Sequence, residues 1–102
     1  MYVFKQVESD SFGYQKGFTY QRPYGCNFLT RRFLGAAIDK EKSMCVFIDE
    51  NSDKGKNEYA FIPNYSISIC KIEDGGKCTE IVSEPLWSKS LDEVLDFINN
   101  KY

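Results

Sequence analysis

Histidine is absent from this 102-residue chain. That absence removes the one side chain whose unperturbed titration falls near neutral pH, together with the commonest metal ligand, and so argues against most hydrolase and metalloenzyme designs. Long apolar runs are missing too, since none approaches the roughly 18 residues of a membrane span. Met1 to Glu8 holds no basic stretch followed by a long apolar one, so no signal peptide is expected and the chain is placed in the cytoplasm. Neither a P-loop nor a G-x-G-x-x-G pattern occurs, and Gly75-Gly76 reads as turn chemistry. Without repeats, low-complexity tracts or linkers, residues 1–102 are expected to form a single domain.

Cysteine is present, but not in a pattern that binds metal. Cys26, Cys45, Cys70 and Cys78 lie 19, 25 and 8 positions apart, whereas zinc sites place ligands in close pairs on tight turns. In a reducing compartment they read as buried thiols behaving as small apolar residues. No metal or cofactor is implied.

What the chain has in excess is aromatic residues, at 16% of the composition. Phe12, Tyr14, Phe18, Tyr20 and Tyr24 all fall on even positions, as alternation along a strand requires. A turn at Gln15-Lys16-Gly17 sets Tyr14 opposite Phe18 and Phe12 opposite Tyr20, gathering the rings on one face of a hairpin over 12–24. Residues 2–8 alternate in the same way and read as an opening strand. A second hairpin is expected over Phe33–Ile48, turning at Asp39–Lys42. A polar loop follows at 49–58, with a short strand at Tyr59–Ile62. The last hairpin joins Ser66–Glu73 to Cys78–Ser83, and a two-residue Gly75-Gly76 turn would pair Asp74 with Lys77 and Lys71 with Glu80. In that register Cys70 and Cys78 point to opposite faces.

The C-terminal segment carries a helix signature. Ser90 is placed to cap, Glu93 completes a capping box, and Leu91, Val94, Leu95 and Ile98 form one apolar stripe. The expected fold is therefore α+β: a mostly antiparallel sheet of five to six strands built from hairpins, with one helix at 90–101 packed on one face. Trp87 is read as closing one end of the core, with an exposed anchor for a partner as the alternative.

Charge is unevenly distributed. Residues 1–35 hold five basic against two acidic side chains, a net of +3, and the remainder holds eight against thirteen, a net of −5. Rings interleaved with cations suit single-stranded nucleic acid, since bases stack on rings while phosphates meet the cations. The residues for that reading are Tyr14, Phe18, Tyr20, Arg22, Arg31 and Arg32. The leading expectation is different: a non-enzymatic protein-interaction module, acting as a small acidic inhibitor or regulator of another macromolecule such as a nucleic-acid enzyme. Immunity proteins and phage anti-defence inhibitors are the general class. Its partner-binding residues would be Asp49, Glu50, Asp53, Tyr14, Tyr20 and Trp87, with carboxylates standing where phosphates would bind. An aromatic sheet face left uncovered by the single helix would also suit a homodimer.

Overall fold

The computed structural model describes residues 1–8, 18–22, 31–51 and 63–102, with the side chain of Arg31 excepted. Five antiparallel strands lie in chain order: β1 (Val3–Gln6), β2 (Arg31–Asp39), β3 (Met44–Asn51), β4 (Tyr65–Ile72) and β5 (Cys78–Leu86). A single helix, α1 (Leu91–Lys101), follows them. The architecture is the expected α+β meander. The proposed turn at 15–17, most of the hairpin over 12–24 and the strand at Tyr59–Ile62 lie outside the described residues.

The central strand explains why both faces are closed. Cys45, Val46, Phe47 and Ile48 are consecutive and all fully buried, the mark of a strand covered on two sides. Val46 and Ile48 face α1 with Ala37, Tyr65, Ile67, Ile69, Val94 and Ile98. Cys45 and Phe47 face the other way with Phe18, Phe33, Ala36, Cys70 and Cys78. α1 lays the predicted stripe on the first face, and fully burying Val94 and Ile98 contributes about 1.5–3 kcal/mol each. Its start is fixed as the sequence indicates. The Ser90 hydroxyl accepts from the Glu93 backbone N–H at 3.3 Å, while the Glu93 carboxylate accepts from Lys89 N–H at 2.8 Å.

Two irregularities shape the sheet. In β2, Leu34 is an extra residue between the pairs Phe33↔Asp49 and Gly35↔Ile48. Gly35 takes φ +151°, and a Cβ there would lie 2.1 Å from the Lys5 carbonyl oxygen, so only glycine lets β1 pair at this point. In β5, Ile81 is the extra residue. The register implied by a Gly75-Gly76 turn holds from Ile69↔Val82 to Tyr65↔Leu86, then slips by one to Cys70↔Glu80, Lys71↔Thr79 and Ile72↔Cys78.

That slip corrects three expectations. Asp74 lies in the turn and the Lys77 carbonyl accepts from the Glu73 N–H at 2.7 Å instead, Lys71 does not oppose Glu80, and Cys70 shares a face with Cys78. The reason is the turn, a three-residue Asp74–Gly76 element with Gly75 and Gly76 at φ +76° and +82° in place of a two-residue loop. A tertiary contact selects it: Gln21 N–H donates to the Gly76 carbonyl at 2.9 Å, and Cys78 N–H donates to the Gln21 carbonyl at 3.2 Å. Residues 18–22 thus lie over the second face and make one parallel bridge, Gln21↔Lys77, where a strand of the 12–24 hairpin was expected. The motive for a homodimer, an uncovered aromatic face, is removed wherever Phe18 and Arg22 cover it.

β3 also runs further than expected. Asp49 and Glu50 are strand residues rather than the start of a polar loop.

Candidate partner surface

Arg22 and Asp49 were nominated for opposite roles, one to hold phosphates and the other to imitate them, and the fold joins them. The guanidinium donates in a bidentate fork to the Asp49 carboxylate, at 3.0 and 2.8 Å, with both side chains at most 7% exposed. Its Cζ lies 4.7 Å from the Phe33 ring centre and 5.4 Å from that of Phe47, so the cation is held over rings as well as against a carboxylate. Pairing explains how an aspartate can occupy a buried strand position that sequence reasoning assigned to solvent. It also withdraws both residues from any surface.

The other nucleic-acid candidates scatter. Phe18 is buried against Phe47, and Tyr20 packs edge-on to Phe18 with ring centres 5.6 Å apart and is half-buried. Arg32 is exposed on β2, beside a groove of about 450 Å³ that Glu8 also lines. Arg31 opens β2, while Tyr14 lies outside the described residues. The structure therefore does not assemble the described members of this set into one aromatic platform. Among the protein-partner candidates, Asp53 lies outside the described residues and Glu50 is partly buried on β3 opposite Tyr65.

Trp87 is the exception. It was expected to close the core, yet it is 57% exposed. The chain alternates at the end of β5, so with Leu86 buried toward α1 the next side chain turns outward. Its backbone is nonetheless held: the Asn64 side-chain amide donates to the carbonyls of Trp87 and Ser88 at 3.3 and 3.0 Å. Further along β5, Ile81 and Val82 are also exposed, at 61% and 40%. Ile81 owes its exposure to the bulge.

Three thiols, Cys45, Cys70 and Cys78, are free and buried side by side on the second face. Cys45 and Cys70 are register partners on β3 and β4. The Cys78 thiol donates to the Gly76 carbonyl at 3.7 Å. Interaction with Cys78, with burial behind it, raises Cys45 far above the ordinary thiol value, and interaction with Cys45 lowers Cys78 against the effect of burial. Burial pushes Cys70 up to about 12. Among the described residues no group of three or more Cys, Asp or Glu side chains is arranged to hold a metal ion, and no helix is long and apolar enough to cross a membrane.

Two polar clusters tie the ends of the chain to the sheet. Asp39 accepts from the Met1 ammonium at 3.0 Å and from the Glu41 and Lys42 backbone N–H groups, closing the turn between β2 and β3. The ammonium bond holds its carboxyl below the ordinary aspartate value. Glu84 on β5 accepts from the Tyr102 hydroxyl and from Lys101 Nζ, and these bonds lower its pKa in the same way.

Comparisons with protein-family models, with curated proteins and with solved structures return no match.

Proposed function

We propose that this domain is a non-enzymatic protein-interaction module, a small inhibitor or regulator of another macromolecule, that meets its partner around Trp87 at the junction of β5 and α1. The observation that carries the reading is a large indole left mostly in solvent on a backbone pinned by Asn64. Holding the chain beforehand lowers the ordering entropy that binding would otherwise cost, and tryptophan is among the residues that dominate interface energetics. The edge of β5 itself suits side-chain contact rather than strand addition. Pro85 offers no N–H, the Ile81 bulge interrupts the ladder, and Glu80 and Glu84 add charge. With Asp49 taken up by Arg22, the phosphate-imitating part of the reading falls to residues outside the core.

Affinity capture from cells of the source, with the unchanged protein and with Trp87→Ala as paired baits, tests this. A specific partner should be retained by the first and lost from the second, an affinity drop of about thirty-fold or more for a central anchor. Equal retention would remove Trp87 from the interface. A labelled single-stranded oligonucleotide titrated across a salt series supplies the contrast. The proposal expects no steep salt-dependent binding.

A further inference from the structure

The two edges of the sheet are built differently. β5 closes its edge with Pro85, the Ile81 bulge and acidic side chains. β1, at the other edge, has neither proline nor bulge, and its neighbours fix which way its peptide groups point. Val7 N–H donates to the Leu34 carbonyl on β2 at 3.1 Å, and Tyr2 N–H donates the other way, to Asn99 Oδ1 on α1 at 2.9 Å. Peptide groups alternate along a strand, so Val3 and Lys5 bond β2 while Phe4 and Gln6 turn their N–H and C=O groups outward. Among the described residues those outward groups meet no hydrogen-bond partner.

Open side-chain space flanks this edge on both faces. On the second face a groove of about 460 Å³ is lined by Val3, Ile38, Lys5, Lys40 and Glu41, and Val3 is 69% exposed. Asp39 also borders it, but its carboxylate is taken up by the Met1 ammonium and the turn N–H groups. That leaves two lysines against one carboxylate. On the first face, Phe4 and Gln6 border the groove of about 450 Å³ that reaches Leu34 and Leu91.

We infer that the outer edge of β1 docks an extended segment of a partner protein as a sixth strand, with an acidic side chain facing Lys5 and an apolar one facing Val3. The outward N–H and C=O groups match another backbone, which supplies affinity, while the flanking grooves read alternate side chains. Lys5 sits where an added antiparallel strand makes a non-hydrogen-bonded pair, the position at which facing side chains come closest. A carboxylate is the favoured partner there. The same lysine disfavours a second copy of this chain. Self-pairing that uses both Phe4 and Gln6 is centred on Lys5 and sets two lysines face to face. Asn99, bonded to Tyr2 N–H, marks one end of the docking stretch. Trp87 lies beyond the opposite edge of the sheet, so the two surfaces are tested separately.

The experiment pans a displayed library of random decapeptides on the unchanged protein after depletion on Gln6→Pro, and the retained peptides are synthesised and titrated. Proline at position 6 removes one outward N–H and spares the bonds that Lys5 and Val7 make to β2. Retained peptides should alternate apolar residues with Asp or Glu, and at saturation should slow amide exchange at Phe4 and Gln6 about ten-fold or more. Lys5→Glu should weaken them about ten-fold, and Lys in place of their acidic residue should restore binding to that variant. Lys5→Glu also serves for depletion should Gln6→Pro fail to fold. No peptide retained after depletion, unchanged exchange at Phe4 and Gln6 with peptide bound, or equal affinity for Lys5→Glu would overturn the proposal. Protection of Phe4 and Gln6 that grows with protein concentration in the absence of peptide would also overturn it, since a second copy would then occupy the edge.

Discussion

At the scale of single residues, Arg22 and Asp49 show how a side chain's meaning depends on a partner far along the chain. Either alone looks solvated; together they are buried under Phe33 and Phe47. Asp49→Ala takes the bidentate carboxylate away from a buried guanidinium and is expected to destabilise the protein by about 3–5 kcal/mol. The double replacement Arg22→Met with Asp49→Leu should recover most of that, and urea unfolding of the three chains measures both. Asp39 makes stability depend on pH. Its carboxyl is held below the ordinary value of 3.8 by the Met1 ammonium and the turn N–H groups. Its contribution to stability is therefore complete above that value and disappears as the pH falls through the lower folded one. Unfolding midpoints measured down a pH series should drop across this window, and the drop should be smaller in Asp39→Asn. Trp87→Ala should change stability by less than about 0.5 kcal/mol, because the ring is mostly in water. A larger loss in thermal unfolding would return Trp87 to the core.

At the scale of elements, the parts legible in the sequence were those fixed by local chemistry. The helix was readable because Ser90, Glu93 and the stripe Leu91, Val94, Leu95 and Ile98 agree with one another without help from the rest of the chain. The hairpin between β2 and β3 was readable for the same reason, with polar Asp39–Lys42 between apolar runs. Register was not. The slip at Ile81 comes from Gln21 bonding to the Gly76 carbonyl, a contact across 55 positions that no local pattern announces, and with it went the facing of Cys70 and Cys78. Nor does any local pattern announce the role of Gly35, which is to admit the Lys5 carbonyl. Gly35→Ala should break the pairing of β1 with β2 and cost more than the usual 0.5–3 kcal/mol, roughly, of a point substitution. Hydrogen exchange should show the loss first at Val3–Gln6.

At the scale of the whole molecule, the sheet is closed on both faces by different means, a helix on one and Phe18 with Arg22 on the other. Among the described residues, Phe18, Phe33 and Phe47 are thereby spent on the interior, and Trp87 stands out because it is not. The main binding surface proposed for this domain therefore lies at the junction of β5 and α1, around the exposed indole. Site-specific photo-cross-linking tests that claim most directly: a photoreactive residue at Lys89, exposed two positions from an intact Trp87, is compared with one at Lys71, exposed at the opposite end of β4. The account predicts a dominant protein adduct from position 89 that position 71 does not give, competed away by excess unchanged protein and not by Trp87→Ala. The same adducts from both positions, or none from position 89, would contradict it.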